Sequence, residues 1–274
     1  MNQGNQGNQG NQGNQGNQGN VGAISLGWSF PDRVDLPFAT ELGVSNRRLS
    51  PDHGFGERHW APYWKAWRAV AEFAATDWIS NISVPAPDLT KTNRDIKDLL
   101  TMAANERPDA LGEILAQSDE FISYFMTAIS AKPTSHPATY RLLLIANSIA
   151  TLVAMHFKGI HNRPRPSQIC PGLLPPIEVP GHASYPSGHA TQAHLFALCI
   201  KTVLPSPVSI KLGPLLETLA NRIARNREIA GVHYKGDSDA GHKLAIAIHA
   251  WLKSMPKLTP SPIDETIGEA RSEF

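Results

Sequence analysis

Apolar positions recur at three- and four-residue intervals through most of the chain beyond residue 57. The clearest stripe runs through Trp60, Trp64, Trp67 and Phe73, a spacing typical of one face of an α-helix. We assign this stripe to the core, with an apolar substrate channel as the alternative. Further helices are predicted over residues 109–129, 139–161, a segment beginning near 187, 212–230 and 234–253. No strand-like alternation competes with them, so the sequence predicts an all-α fold, a single bundle of about six core helices.

The first residues of the chain have a different character. Residues 2–19 are six Asn-Gln-Gly repeats, which offer no apolar side chain to bury, so residues 1–20 are predicted to form a disordered tail. Residues 21–57 are rich in Pro, Gly and Asp and are predicted to be an irregular arm. Residues 58–256 then form the helical domain, and residues 257–274 are predicted to be a C-terminal tail.

Composition narrows the possible partners and locations. The 274 residues carry a net charge of +1 and are 41% hydrophobic, which suits one buried core and gives no sign of a nucleic-acid surface. The most apolar helix, residues 142–157, has about 16 residues, fewer than the roughly 20 needed to cross a bilayer. No secretory signal is visible. We therefore expect no transmembrane segment and, by default, a cytoplasmic location. The two cysteines, Cys170 and Cys199, allow at most one disulfide.

Among three short stretches that look like parts of one site, two collect positive charge. Lys158 and Arg165 lie in the stretch KGIHNRPRP, and Arg227 lies in REIAGVHYKGD. Gathering three cations in a chain of so little net charge predicts a multiply charged anion between them. Tetrahedral phosphate suits this mixture of guanidinium forks and a movable ammonium. Ser187 and Gly188, in the stretch PSGH between them, begin a predicted helix, whose free N–H groups favour the same anion.

Two histidines supply the candidate chemistry. Asp237 follows His233 by four residues, so on a helix its carboxylate can hold the imidazole in one tautomer. A histidine held in this way is a nucleophile toward phosphorus or a ligand of a metal oxyanion. His189 is then free to move a proton as general acid and base. The remaining histidines lack cysteine or acidic partners at ligand spacing, so no zinc or dinuclear metal site is predicted.

In order and spacing, these residues resemble the superfamily of type 2 phosphatidic acid phosphatases (PAP2) and vanadium-dependent haloperoxidases. Its pattern is Lys-x6-Arg-Pro, then Pro-Ser-Gly-His, then Ser-Arg-x5-His-x3-Asp, and it covers residues 158–237 here. One letter departs, because Asn226 stands where the pattern has Ser; that position is not catalytic in the family. The resemblance implies a soluble, bacterial-type, all-helical member. It also implies that the oxygens of phosphate or vanadate are held by Lys158, Arg165, Ser187, Gly188 and Arg227.

The resemblance leaves two reaction classes open. We expect a phosphatase that hydrolyses small phosphomonoesters without a cofactor, with His233 phosphorylated, His189 as acid and base, and Asp237 as the partner of His233. The alternative is a haloperoxidase, in which His233 is the ligand of a vanadate cofactor and the substrates are peroxide and halide. Residues 181–192 resemble algal bromoperoxidases, where the histidine matching His182 lines the vanadate pocket. The short chain favours the phosphatase. A protein that binds phosphate without turnover is a third hypothesis, and the oligomeric state is left open.

Overall fold

The structure is a computed structural model that describes residues 54–56 and 59–274. The chain divides into two compact units, Met1–Lys65 and Ala66–Phe274, whereas the sequence predicts that the helical domain begins at residue 58. The predicted disordered tail, residues 1–20, and most of the predicted arm, residues 21–57, lie outside the described residues.

The described part of the chain is all-helical and contains no strand, which confirms the predicted fold class. It has more helices than the predicted six, because several are short or were not predicted. The helices are α1 (Pro62–Ala74), α2 (Trp78–Asn81), α3 (Thr92–Asn105), α4 (Arg107–Asp119), α5 (Ile122–Ala128), α6 (Pro137–His161), α7 (Pro166–Ile169), α8 (Gly188–Val203), α9 (Ser206–Ile229), α10 (Lys235–Ser254) and α11 (Pro262–Arg271).

Helix α8 lies at the centre of the second unit and packs against α6, α9 and α10. Small residues permit this close approach: Ala190 and Ala193 on α8 are fully buried. On α10, a Cβ added at Gly241 would lie only 2.7 Å from the carbonyl oxygen of Ser187. The absence of a side chain at Gly241 therefore lets α10 approach the first turn of α8, where the PSGH stretch lies.

Two predicted helix boundaries are wrong. The helix predicted over residues 109–129 is two helices, α4 and α5, because Glu120 is extended and its carboxylate caps the next helix by accepting the Ser123 N–H at 2.9 Å. The helix predicted over residues 212–230 begins earlier, at Ser206, and continues through Pro214. Helix α3, which mixes charged and apolar residues, was not predicted.

Residues 257–274, predicted to be a tail, contain helix α11, which packs on α6. The carboxylate of Glu273 accepts hydrogen bonds from the backbone N–H groups of Ala138 and Thr139, at 2.7 and 2.8 Å. These are among the N–H groups in the first turn of α6 that have no partner within the helix. The end of the chain therefore caps the helix that carries Lys158.

Helix α6 corrects the prediction about membranes. The segment Pro137–Ile169 is long and apolar enough, by length and composition, to cross a bilayer, and about half of its most apolar stretch is buried within the protein. The helix predicted over residues 139–161 agrees with α6 to within two residues, but only its most apolar part, residues 142–157, was compared with the length needed to cross a bilayer. The prediction of no transmembrane segment is therefore wrong, and the cytoplasmic location falls with it, since that default presumed a chain without such a helix.

Candidate active site

The predicted site residues lie at the ends of four long helices and in the connections between them. Lys158 is in the last turn of α6, and Ser187 caps the start of α8. Arg227 is in the last turn of α9, and Asp237 is in the first turn of α10. Contacts between the connections draw these ends together; for example, the Ser187 N–H donates to the backbone carbonyl of Asp237 at 3.0 Å.

His233 and Asp237 form a buried pair, as the four-residue spacing predicts. The Nδ1 atom of His233 lies 3.1 Å from Oδ2 of Asp237. An ionised carboxylate only accepts hydrogen bonds, so Nδ1 carries the proton and Nε2 keeps its lone pair. Burial lowers the pKa of His233 to about 3, although the hydrogen bond to Asp237 acts in the opposite direction. The imidazole is therefore neutral at neutral pH, with Nε2 available as a nucleophile or ligand.

Additional donors hold the Asp237 carboxylate in its ionised form. Its Oδ2 accepts the backbone N–H of Tyr234 at 3.1 Å and the hydroxyl of Ser184, and its Oδ1 accepts Nη1 of Arg163 at 2.9 Å. Burial by itself would raise the pKa of Asp237, but the hydrogen bonds from His233 and Ser184 and the charge of Arg163 bring it below its usual value. Ser184 and Arg163 were not among the site residues predicted from the sequence.

His189 is oriented by a segment that the motifs do not include. Its Nε2 lies 3.1 Å from the backbone carbonyl of Gln117, and its ring stacks on Phe121 at a centroid distance of 5.2 Å. A carbonyl only accepts, so Nε2 carries a proton and Nδ1 remains for proton transfer. Burial lowers the pKa of His189 well below its usual value, and the nearby charge of Arg227 adds to the effect.

Backbone carbonyl groups hold the first two cations. The Nζ atom of Lys158 donates to the carbonyls of Ala183 and Ser184 at 2.7 and 2.8 Å. Arg165 donates through Nη1 to the Val232 carbonyl at 2.8 Å, and the same Nη1 lies 3.5 Å from Nε2 of His233. These neutral acceptors fix both side chains without cancelling their charge.

Arg227 has the least complete set of partners among the three predicted cations. The residue is 1% exposed, and its Nη2 donates to the Ile114 carbonyl at 2.8 Å. Its Nε and Nη1 atoms are buried and have no hydrogen-bond partner. Burial lowers the pKa of Arg227 to about 10, so it stays charged at neutral pH. Unpaired buried donors are rare, and the three N–H groups of these two nitrogens are suited to an anion that enters beside His189.

The first turn of α8 has the geometry expected of an anion site. The Ser187 hydroxyl oxygen accepts the Ala190 N–H at 3.4 Å, so its own O–H is free to donate. A Cβ added at Gly188 would meet nothing within 4 Å, so the space before the helix N-terminus is open at this residue.

His182 and Asn226, which lie next to the predicted binding and catalytic residues, contact other residues of the site. His182 is exposed, and its Nδ1 lies 3.1 Å from Nη2 of Arg165. Asn226, the departure from the family pattern, donates through Nδ2 to Glu113 and Gln117, both at 2.9 Å. It therefore ties α9 to α4, beside the carbonyl that orients His189.

The described residues contain no cluster of three or more His, Cys, Asp or Glu side chains that could hold a metal ion. Cys170 and Cys199 are both free thiols.

Comparison with known proteins shows similarity to solved structures. No family model matches the chain, and no curated protein matches it. A solved structure described as the first transmembrane PAP2-type phosphatidylglycerolphosphate phosphatase, from Bacillus subtilis, is similar over 70% of this chain and 83% of that chain. The two are 16% identical, with a TM-score of 0.36. At this level the similarity does not establish an activity or a membrane topology for this chain.

Proposed function

We propose that this protein is a phosphatase that hydrolyses phosphomonoesters through a phosphohistidine at His233. The observation that carries the proposal is the pair of buried, unpaired nitrogen donors of Arg227, Nε and Nη1, in a site whose histidine keeps its Nε2 lone pair. The donors suit the oxygens of a phosphoryl group, and the lone pair suits attack on its phosphorus. Lys158, Arg165, Ser187 and the backbone at Gly188 complete the donor set.

The first half of the reaction transfers the phosphoryl group to the protein. Nε2 of His233 forms a bond to phosphorus while the ester P–O bond breaks, and the leaving oxygen takes the proton from Nδ1 of His189. Burial and the charges of Arg227 and Lys158 keep His189 neutral in the free protein; the phosphate dianion offsets those two charges, which favours the protonated ring. Asp237 stays ionised and balances the positive charge that develops on His233.

The second half restores the free protein. Water attacks phosphorus and gives a proton to Nδ1 of His189, while the N–P bond breaks and its electron pair returns to Nε2 of His233. Inorganic phosphate leaves, and His189 is again protonated for the next cycle. The Gln117 carbonyl keeps its hydrogen bond from Nε2 of His189 throughout, so only Nδ1 exchanges protons.

Hydrolysis by this route requires no cofactor. Tetrahedral vanadate fits the same donors, with Nε2 of His233 as its ligand, so we expect it to compete with phosphate. In a haloperoxidase, bound vanadate supplies the activation of peroxide. No described contact in the site favours a haloperoxidase over a phosphatase. Haloperoxidase activity is therefore one of the possible outcomes of the experiment described below.

The test combines turnover with trapping of the intermediate. The purified protein is assayed with p-nitrophenyl phosphate, and the phosphoenzyme is trapped by rapid denaturation at alkaline pH after mixing with a radiolabelled phosphomonoester. His233→Ala is expected to form no phosphoenzyme. His189→Ala is expected to form it slowly and to fail to hydrolyse it. His242→Ala, on the exposed side of α10, is the matched control and keeps normal turnover.

Three results would overturn the proposal. A normal amount of phosphohistidine in His233→Ala would exclude His233 as the nucleophile. Peroxide-dependent bromination of a phenol dye that appears only after addition of vanadate would identify a haloperoxidase. Saturable binding of inorganic phosphate without hydrolysis of any ester would identify a binding protein.

A further inference from the structure

Arg163 is a buried cation for which the motifs give no role. It lies between Lys158 and Arg165 in the sequence, and its side chain is 2% exposed. Its Nη1 donates to Oδ1 of Asp237 at 2.9 Å, and its guanidinium carbon lies 3.7 Å from the centre of the Tyr234 ring. Three features therefore act on one side chain, namely burial, a charge-assisted hydrogen bond and a cation–π contact.

We propose that Arg163 is a positioning residue, which fixes the Asp237 carboxylate so that Nδ1 of His233 keeps its proton and Nε2 points to the reacting phosphorus. This inference rests on the proposed function, and it concerns a residue that the sequence pattern does not single out.

The two carboxylate oxygens of Asp237 have different partners. Oδ2 accepts Nδ1 of His233, the N–H of Tyr234 and the hydroxyl of Ser184, whereas Arg163 is the described partner of Oδ1. Without a partner on Oδ1, the carboxylate can turn about its terminal torsion, which has a broad energy profile. Such a rotation would move Oδ2 away from Nδ1. Arg163 therefore limits the orientation of His233 through a group that it contacts directly.

Contacts on its other sides hold the guanidinium itself. Nη2 of Arg163 lies 3.5 Å from Oδ2 of Asp95 on α3, close enough for an ion pair, although neither Nη2 nor Nε forms a hydrogen bond to a described residue. The Tyr234 ring, one residue after His233, covers its face. The backbone carbonyl of Arg163 accepts the Ser184 N–H at 2.9 Å, which also places the serine that contacts Asp237. A lysine has a single point charge and cannot reproduce the fork or the stacking.

A solvent-accessible cavity of about 470 Å³ borders this arrangement, and its lining includes Arg163, Asp95 and Tyr185. Asp95 is closest to Nη2 of Arg163, whereas Asp237 is closest to Nη1. Burial raises the pKa of Asp95, and the charge of Arg163 opposes the rise. We infer that Asp95 contributes less than Asp237 to holding the guanidinium of Arg163, because its carboxylate lies farther from the guanidinium.

The experiment compares three variants of the full chain. Arg163→Lys keeps the charge but loses the fork, and we expect kcat to fall about 10- to 100-fold with little change in KM, as for other groups that orient a reacting histidine. Asp95→Asn keeps the guanidinium and loses one ion pair, and we expect a smaller fall in kcat, about two- to five-fold. Arg225→Lys is the matched control. It alters an arginine that pairs with Glu106 at the surface and is expected to keep wild-type kcat.

A second readout does not depend on turnover. In protein labelled with 15N-histidine, the wild type is expected to show a protonated Nδ1 on His233, and Arg163→Lys is expected to show a mixture of the two neutral tautomers. If wild-type protein hydrolyses no ester, the proposed function fails, yet this spectrum still tests the role of Arg163. Wild-type kcat together with an unchanged His233 signal in Arg163→Lys would overturn the inference. If that variant does not fold, wild-type kcat in Asp95→Asn with an unchanged His233 signal would do so.

Discussion

Replacing Arg227 by methionine is expected to raise the stability of the ligand-free protein while abolishing its activity. The guanidinium is 1% exposed and stays charged, and among the described residues it forms no ion pair. Its Nε and Nη1 have no acceptor, and a single hydrogen bond joins Nη2 to the Ile114 carbonyl. Methionine fills a similar space with apolar atoms and removes the unpaired donors.

The size of the effect follows from counting unsatisfied groups. A buried donor or acceptor without a partner costs about 1–3 kcal/mol. Arg227→Met removes two such donors and leaves the Ile114 carbonyl without its partner, for a net gain of about 1–3 kcal/mol. For a domain of this size, that gain corresponds to a rise in melting temperature of about 2–10 °C.

Thermal unfolding with and without phosphate provides the assay. At a phosphate concentration 100 times its Kd, binding stabilises the wild type by about 2.7 kcal/mol, whereas the variant lacks a principal donor and is expected to gain little. The difference in melting temperature between the variant and the wild type therefore becomes smaller or changes sign when phosphate is added. Arg225→Met, which breaks the surface pair with Glu106 and a longer contact with the buried Glu228, is expected to keep the full phosphate effect. A variant at Arg227 that melts below the wild type without ligand, yet shows the same rise with phosphate, would refute this reasoning.

Two further predictions concern pH and packing. The folded protein holds His233 neutral down to a pKa of about 3, against an ordinary value of 6.5, so its contribution to stability is present above pH 6.5 and lost as the pH falls toward 3. The urea midpoint should fall over this window and fall less in His233→Gln; parallel curves would contradict the prediction. Gly241→Ala places a Cβ 2.7 Å from the Ser187 carbonyl oxygen and should lower the free energy of unfolding by ~1–3 kcal/mol. By contrast, Gly159→Ala, where a Cβ meets nothing within 4 Å, should raise the free energy of unfolding by ~0.5–1 kcal/mol. If urea unfolding showed the same change for both variants, Gly241 would not be required for the close packing of α10 on α8.

The motif spacings allow a good prediction of which side chains meet, for a physical reason. The four-residue interval between His233 and Asp237 brings the two side chains together around the turn that begins α10. The serine before Gly188 is a common N-cap type, and Ser187 caps α8 as expected. Local geometry determines both features, so the sequence alone contains the information. The membrane prediction failed although the helix was predicted over residues 139–161, because only its most apolar part, residues 142–157, was counted toward the length needed to cross a bilayer.

Contacts between distant segments could not be predicted in this way. Gln117 reaches His189 from 72 positions away, and Arg163 reaches Asp237 from 74 positions away. The backbone carbonyl of Gln117 carries no sequence signal, because every residue has a backbone carbonyl. Arg163 looks like one more cation in a basic stretch, because its role depends on the position of α10 relative to the end of α6. The break at Glu120 likewise depends on how its side chain caps α5.

The charges around His233 have two functions: they keep the Asp237 carboxylate ionised beside Nδ1, and they attract an anion to the site. On its Nδ1 side, the Asp237 carboxylate is held by Arg163 and Ser184. Neutral carbonyl groups hold Arg165, whose Nη1 lies 3.5 Å from Nε2 of His233, and they also hold Lys158. No described carboxylate forms an ion pair with either cation. A carboxylate in place of those carbonyls would cancel the charge that attracts an anion. The same reasoning explains why Arg163 pairs with Asp237: the paired guanidinium balances the buried carboxylate and leaves the positive potential to the cations beside Nε2.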